Sequence, residues 1–215
     1  MNTNINATML CFITDDNQFY IDRFVESYKQ YCSGFDLTIV AGDEHAIHTP
    51  EQVYVDSKYM ALTNIFERLN NRKLLSPGLS SRKFVAITHA DYLFTRPLDP
   101  SKLLNNKTGK PKLFCESYVS LCRKLGFTHP VFHNQYLTEN ILKFKVSHEF
   151  CRLLPMMYDH QSLSDAVSSA FSSASYNFEF HNVIGAYLSE KYPLEIDLVD
   201  LGLNPSCLEI FAAKS

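Results

Sequence analysis

A chain of 215 residues, of which 46% are hydrophobic and 20% charged, has the composition of an ordinary globular protein. At this length about 70% of the surface of the unfolded chain can be buried, so folding requires neither a disulfide framework nor a structural metal. The net charge of −3 provides no global basic field, so net charge does not indicate nucleic acid as a partner and leaves only a local basic patch open.

The first half of the chain predicts strands and helices in alternation. Residues 8–14 are an apolar run that predicts a buried strand, and residues 18–32 carry apolar side chains at helical spacing. Further strands are predicted at 36–42, 52–55, 84–88 and 112–117, and a further helix at 59–69. This order predicts an α/β fold with a mainly parallel sheet flanked by helices, in which ligands bind beyond the carboxyl ends of the strands.

The second half of the chain predicts helices. Residues 136–157 carry a helical pattern that ends near Pro155, and residues 178–193 carry another that ends at Pro193. The serine-rich stretch 162–178 predicts either a marginal helix or a loop, and two further stretches predict surface loops, 70–81 and 101–112. No linker divides the chain, so we expect a single domain over residues 1–215.

The cysteines and the apolar runs bear on the compartment of the protein. Six cysteines are spread along the chain without a Cys-x-x-Cys pair, and Cys11 and Cys115 lie in apolar runs typical of a core. A reduced, cytoplasmic compartment is therefore expected. The first residues lack a basic segment followed by an apolar one, and no apolar run approaches 18 residues. We expect neither a signal peptide nor a transmembrane segment.

Polar side chains follow three of the predicted strands. Thr14 and Asp15 follow the first strand, and Gly42-Asp43 follow the second. His89-Ala90-Asp91 ends the strand at 84–88 and precedes a second apolar patch and an Arg-Pro-Leu turn. Because the carboxyl ends of parallel strands meet at one edge, these side chains are expected to share a site.

The segment ITHADYLFTRPLD, residues 87–99, resembles the Asp-x-Asp segment of GT-A glycosyltransferases, with His89 in place of the first acid. The segment ASYNFEFHNVIGAYLSEKYP, residues 174–193, is similar to a later segment of small GT-A-like proteins, where a glutamate precedes a glycine and an aromatic residue on a helix. The intervening HPVFHNQYLTENIL, residues 129–142, resembles their acceptor side. The resemblance covers roughly residues 8–193.

This resemblance implies a GT-A-like fold and a metal-assisted glycosyltransferase, which moves a sugar from a nucleotide-sugar donor to an acceptor. Residues 8–115 would bind the nucleotide-sugar, residues 116–193 the acceptor, and residues 194–215 would form a tail. The acceptor is left open among a saccharide, a lipid, a protein and a modified nucleobase.

The resemblance also implies roles for individual residues. Asp91 would coordinate Mn²⁺ or Mg²⁺ and through it the diphosphate of the donor. His89 would contact the metal or the ribose, and His181 would be a further metal ligand. Glu179 would contact the acceptor and, in an inverting enzyme, act as its general base. Thr14 and Asp15 would face the nucleotide base or the ribose. Independently of the resemblance, Lys58 is a basic residue that could contact the phosphates, with a surface charge as the alternative.

Each of these residues also has a structural interpretation. Asp91 and Asp15 are suited to cap a turn and a helix, and His89 to a hydrogen-bonded place in the core. Glu179 suits a solvated helix position; if residues 178–190 are all helical, it lies about 200° from His181 and the two cannot face one site.

Two other functions are compatible with the same residues. The chain could be a catalytically silent relative that binds a nucleotide or a partner protein on the same scaffold. It could also be a metal-dependent phosphoester hydrolase that uses His89 and Asp91.

Overall fold

The computed structural model describes residues 5–13, 18–42, 52–55, 72–90, 92–125, 133–150, 155–171, 178–201 and 212–214. The strands in this part of the chain are β1 (Ala7–Phe12), β2 (Asp36–Gly42), β3 (Gln52–Val55), β4 (Phe84–His89), β5 (Tyr92–Phe94), β6 (Lys112–Ser117), β7 (His148–Phe150), β8 (Met156–Asp159), β9 (Asp197–Asp200) and β10 (Ala212–Lys214). The helices are α1 (Gln18–Tyr31), α2 (Tyr118–Leu125), α3 (His133–Leu142), α4 (His160–Ala170) and α5 (Phe180–Lys191), with 3₁₀ turns at Ser76–Leu79 and Pro100–Leu103.

The central sheet has five strands in the order β3-β2-β1-β4-β8. The first four run parallel to one another, and β8 is antiparallel to β4 at the edge of the set. All six residues of β1 and of β4 are buried, which explains why both strands are nearly continuous apolar runs rather than alternating ones. The predicted α/β fold with a mainly parallel sheet flanked by helices is confirmed.

A second, smaller sheet has the order β7-β6-β9. Its middle strand β6 pairs antiparallel with β7 and parallel with β9. The strand predicted at residues 112–117 therefore exists with the predicted bounds, but it does not belong to the central sheet. Cys115 lies in this strand and Cys11 in β1, and both are fully buried, as predicted.

The helix predicted over residues 136–157 is confirmed as far as Leu142 and is wrong beyond that residue. Helix α3 ends at Leu142, and the following Lys143 has a φ of 61°, a left-handed conformation that terminates helices. Residues 148–150 and 156–159 are strands instead, because pairing with β6 and β4 satisfies their backbone groups. The apolar residues at helical spacing gave no sign of these long-range pairings.

The serine-rich stretch contains the helix α4, whose start is fixed by Asp159. The carboxylate of Asp159 accepts hydrogen bonds from the backbone N–H groups of Gln161 and Ser162, both at 3.1 Å. These bonds satisfy donors that have no partner within the helix. Of the two alternatives for residues 162–178, the helical one holds through Ala170.

The stretch 70–81 is not simply a surface loop. Within its described part, Arg72, Lys73 and Ser76 are buried, with exposed fractions of 4%, 1% and 0%. Ser76 donates from Oγ to the carbonyl of Lys73, which closes this turn on itself. The predicted helix over residues 59–69 lies outside the described residues.

Helix α5 has the predicted position and is buried on nearly all sides. It packs against α3, α4 and β7, and the residues from Phe180 to Ala186 are all buried. A Cβ atom at Gly185 would lie 2.3 Å from the ring of Phe150, so only glycine allows this close approach of the helix to β7. The backbone N–H of Phe150 also donates to Oδ1 of Asn182 at 2.6 Å, which fixes β7 to the first turn of α5.

Candidate functional site

The carboxyl ends of β1 and β4 lie side by side in the central sheet. His89 is the last residue of β4, lies opposite Phe12 of β1, and has an exposed fraction of 9%. The backbone N–H of Ala90 donates to the carbonyl of Phe12 at 3.2 Å, so the chain immediately after His89 is still tied to β1. The first part of the His-Ala-Asp segment therefore sits at the edge where the sequence placed a site.

His181 lies next to His89, although the two residues are far apart in the sequence. The centroids of their imidazole rings are 6.4 Å apart, with the ring planes inclined at 62°. His181 belongs to the first turn of α5 and is fully buried between the rings of Phe180 and Tyr158, whose centroids lie 5.6 and 6.2 Å away. The structure thus brings together two of the residues predicted to share a site.

Tyr158 forms a buried hydrogen bond with His181. The distance between the hydroxyl oxygen of Tyr158 and Nδ1 of His181 is 2.7 Å, and both side chains are fully buried. Burial lowers the pKa of His181 well below its usual range, and the positive charge of Lys73 lowers it further. Burial also raises the pKa of Tyr158, and the negative charge of Glu179 raises it further. Both side chains are therefore neutral near pH 7.

Glu179 immediately precedes α5 and has an extended backbone, with φ −102° and ψ 115°. Its carboxylate makes no capping bond to the helix, and its Oε1 is buried without a hydrogen-bond partner among the described residues. A helical Glu179 would face away from His181, but this objection does not apply because Glu179 lies outside the helix. Glu179 directly precedes the first residue of α5, and His181 is the second residue of that helix.

Buried polar atoms without hydrogen-bond partners occur at the start of α5 as well as elsewhere in the fold. In the described part of the chain they include Oε1 of Glu179, Nε2 of His181 and Nδ2 of Asn182, all within four consecutive residues. Buried polar groups in folded proteins normally have partners, so a cluster of exceptions points to a bound molecule or to water. A further such atom, Oγ1 of Thr138 in α3, stands apart from this group in the sequence.

Sequence reasoning missed Lys73 and Tyr158. Lys73 is buried, and its Nζ lies 5.9 Å from the centroid of the Phe180 ring, at the start of α5. Its position within a polar stretch gave no indication of burial. Tyr158 follows two methionines that were attributed to a helix, and only the pairing of β8 with β4 places its hydroxyl beside His181.

Four residues of the predicted site lie outside the described residues: Thr14, Asp15, Lys58 and Asp91. The described residues contain no group of three or more His, Cys, Asp or Glu side chains that could hold a metal ion. With metal–nitrogen bonds of about 2.1 Å, one ion could reach both His89 and His181 only with the rings on opposite sides of it. His181 would have to bind through Nε2, since Nδ1 is engaged by Tyr158. Its role as a metal ligand stays a prediction.

A separate cleft of about 210 Å³ lies at the opposite end of the sheet, at the start of β1 and β2. Its charged side chains already form an ion pair, with Arg82 and Asp36 2.5 Å apart, and Arg82 also donates to Asn6 at 3.1 Å. Because both side chains are about half exposed and paired with each other, this cleft has no buried charge to offer a ligand. The polar cluster at the start of α5 is the stronger candidate.

No protein-family model and no curated protein sequence matches the chain. A solved structure described as a glucose-1-phosphate thymidylyltransferase from Bacillus anthracis, in complex with a sucrose, is similar at 14% sequence identity and a TM-score of 0.49. The similarity covers 95% of this chain and 93% of that one. A similarity at this TM-score does not support any conclusion about chemistry. The fold is assigned from the strand order and pairing described above.

None of the helices in the described part of the chain has both the length and the apolar character needed to cross a membrane.

Proposed function

We propose that the chain transfers a sugar from a nucleotide-sugar donor to an acceptor hydroxyl at the carboxyl edge of the central sheet. The observation that supports this proposal is the proximity of His89 and His181, together with the buried, unbonded carboxylate oxygen of Glu179 at the start of α5. His89 comes from one of the two segments that resemble GT-A glycosyltransferases, and Glu179 and His181 come from the other. The fold brings His89 beside His181.

In this proposal the donor lies across the ends of β1 and β4. Thr14 and Asp15 contact the base or the ribose, and Lys58 contacts the phosphates. His89 lies beside the diphosphate and can donate a hydrogen bond to it. The main contribution of these residues is to hold the anomeric carbon in line with the acceptor.

The carboxylate of Asp91 would hold Mn²⁺ or Mg²⁺, with His89 as a second ligand. A divalent cation bound there neutralises the charge that develops on the departing diphosphate. A mixed carboxylate and imidazole donor set suits Mn²⁺ better than Mg²⁺, which prefers oxygen ligands alone.

Glu179 would act on the acceptor. In the inverting form of the reaction, the acceptor oxygen forms a bond to the anomeric carbon while the bond from that carbon to the diphosphate oxygen breaks. The proton of the acceptor hydroxyl passes to the Glu179 carboxylate. A carboxylate without a protein hydrogen-bond donor on Oε1 is available for this role.

Binding without catalysis is the second candidate, because an imidazole stands where the family has its first carboxylate. Thermal unfolding of the full chain with UDP- and GDP-sugars, with and without Mn²⁺, followed by an assay of donor hydrolysis, separates the two. Stabilisation with slow hydrolysis supports a transferase, and stabilisation without any turnover supports binding alone.

The Asp91→Asn variant tests the metal-assisted mechanism. We expect it to lose donor hydrolysis by about 10³-fold, the scale of losing one electrostatic contact to a developing charge. The matched control is Asp22→Asn, which changes an exposed carboxylate on α1 and should leave hydrolysis unchanged. Hydrolysis that survives in Asp91→Asn would mean that Asp91 only caps a turn.

A further inference from the structure

Strand β5 begins directly after Asp91 and pairs with β10. Within the described part of the chain, these two strands form a small sheet that is separate from the central one. The pairing is antiparallel and joins Tyr92–Phe94 to Ala212–Lys214. Strand β10 belongs to the segment 194–215, which the resemblance to GT-A proteins assigned to a tail. The structure thus brings three residues of this segment to the strand that follows a predicted metal ligand.

The segment around Asp91 is attached to the rest of the fold on both sides. Before Asp91, the backbone N–H of Ala90 donates to the carbonyl of Phe12 in β1 at 3.2 Å. After it, the backbone N–H of Phe94 donates to Oγ of Ser27 in α1 at 3.3 Å, and the side chain of Phe94 is buried. These attachments leave a span of three residues, 91–93, between them.

Strand β10 provides backbone partners for two of the three residues in this span. Tyr92 lies opposite Lys214, and Leu93 lies opposite Ala213. Because opposite residues of an antiparallel pair exchange hydrogen bonds at alternate positions, this pairing restricts the backbone directly after Asp91. A metal ligand has to be held within about 0.5 Å of its productive position, so such a restriction bears on metal binding.

We propose that β10 is a positioning strand, which holds the backbone that carries Asp91 and thereby raises the affinity of the site for its metal. The metal is that of the proposed function, on which this part of the inference rests. The strand acts through β5 and supplies no ligand. Groups that orient metal ligands typically change metal affinity by about 10–100-fold.

This role differs from a general contribution to stability. An isolated pair of short strands is at best marginally stable in water, and the pair of β5 and β10 lies outside both larger sheets. Loss of the pairing should therefore change the site much more than the free energy of unfolding of the whole chain.

Two proline substitutions in β10 form a matched pair for the test. Along an antiparallel strand, residues whose N–H faces the partner alternate with residues whose N–H faces away. Proline has no N–H, so one of the variants Ala212→Pro and Ala213→Pro removes a hydrogen bond to β5 and the other removes none. The second variant controls for the introduction of proline itself.

Hydrogen exchange of the full chain without ligand, measured by mass spectrometry, is the first readout. We expect one of the two variants to exchange faster than the wild type in peptides that cover residues 89–94, by about fivefold or more, the effect of losing one backbone hydrogen bond. The other variant should resemble the wild type, and β1 should remain slow in all three proteins. Equal exchange of residues 89–94 in all three would overturn the inference.

Binding of the Mn²⁺ complexes of UDP and GDP, measured by calorimetry, is the second readout. We expect the variant with faster exchange to bind about tenfold more weakly, with an unchanged midpoint of urea unfolding. Unchanged affinity in that variant would overturn the inference. A loss of affinity that is accompanied by a lower midpoint would also overturn it, because β10 would then only stabilise the fold.

The inference and the proposed function fail separately. A wild type that binds neither Mn²⁺ complex contradicts the proposed function, whereas hydrogen exchange still decides whether β10 holds residues 89–94. Binding that is lost in Asp91→Asn and kept in both proline variants supports the proposed function and overturns the inference.

Discussion

At Gly185, helix α5 packs directly against the Phe150 ring of β7. An added Cβ would lie 2.3 Å from two carbon atoms of the Phe150 ring, a separation that forces the ring or the helix to move. We expect Gly185→Ala to destabilise the protein by about 1–3 kcal/mol, the range for overpacked cores, despite the higher helix propensity of alanine. Urea unfolding monitored by circular dichroism measures the change.

Gly78→Ala is the matched control. Nothing lies within 4 Å of a Cβ atom added at Gly78, so the substitution is expected to leave stability unchanged or to raise it slightly. Equal stability of Gly185→Ala and the wild type would contradict the close packing of α5 on Phe150.

Because the buried imidazole of His181 is neutral, we expect the free energy of unfolding to decrease as the pH is lowered. Because burial holds its pKa far below the unfolded value of about 6.5, the unfolded chain takes up a proton below that pH and the folded chain does not. Stability is full above about pH 6.5 and is lost as the pH falls towards the folded pKa, by up to about 1.4 kcal/mol per pH unit. Urea unfolding of wild type and His181→Gln between pH 7.5 and 5 measures this slope, which should be shallower in the variant. Equal slopes would contradict the burial of a neutral His181.

At the scale of single elements, the start of α4 depends on one carboxylate. Asp159 receives two backbone hydrogen bonds, so Asp159→Ala should lower stability by about 1 kcal/mol. Asp159→Asn retains a capping oxygen and should cost far less, which separates capping from charge. Thermal or urea unfolding of both variants gives the comparison, and an equal loss in the two would exclude the cap as the cause.

The elements that sequence predicted well are those defined by local patterns. Strands β1, β2, β3, β4 and β6 and helices α1 and α5 follow from short apolar runs and helical periodicity. Strands β7 and β8 could not be predicted, because their few residues carry no alternation and depend on partners in β6 and β4. The end of α3 was also not predicted, because it depends on the left-handed conformation of Lys143, and a lysine does not indicate such a conformation in a sequence.

At the scale of the whole molecule, β1 lies at the centre of the sheet between β2 and β4. Its residues from Thr8 to Phe12 are paired on both sides and buried, so their amides should exchange only through global unfolding. We expect hydrogen exchange measured by mass spectrometry to be slowest in β1 and β4. It should be faster in β9, an edge strand on which Leu198 is 42% exposed. Faster exchange in β1 than in β9 would contradict this hierarchy.

The candidate site is a property of the whole fold, and only part of it could be predicted. The position of His89 at a strand end followed from the order of elements, and the selection of Glu179 and His181 followed from the resemblance of the segment 174–193. The contribution of Tyr158 depends on an antiparallel strand, and that of Lys73 on a buried turn, neither of which has a local signature. The sequence therefore predicted the residues proposed to take part in the chemistry. The residues that hydrogen-bond to them or shift their pKa values could be identified only from the tertiary structure.

The first turn of α5 is bonded to both sheets through adjacent residues. His181 contacts Tyr158 of the central sheet, and Asn182 accepts a hydrogen bond from the backbone of Phe150 in the smaller one. We expect a molecule that shifts His181 to shift the adjacent Asn182 as well, and with it the hydrogen bond to the amide of Phe150. The amide resonance of Phe150 in an NMR spectrum of the protein should therefore shift when a ligand binds beside His181, and the ligand needs no label.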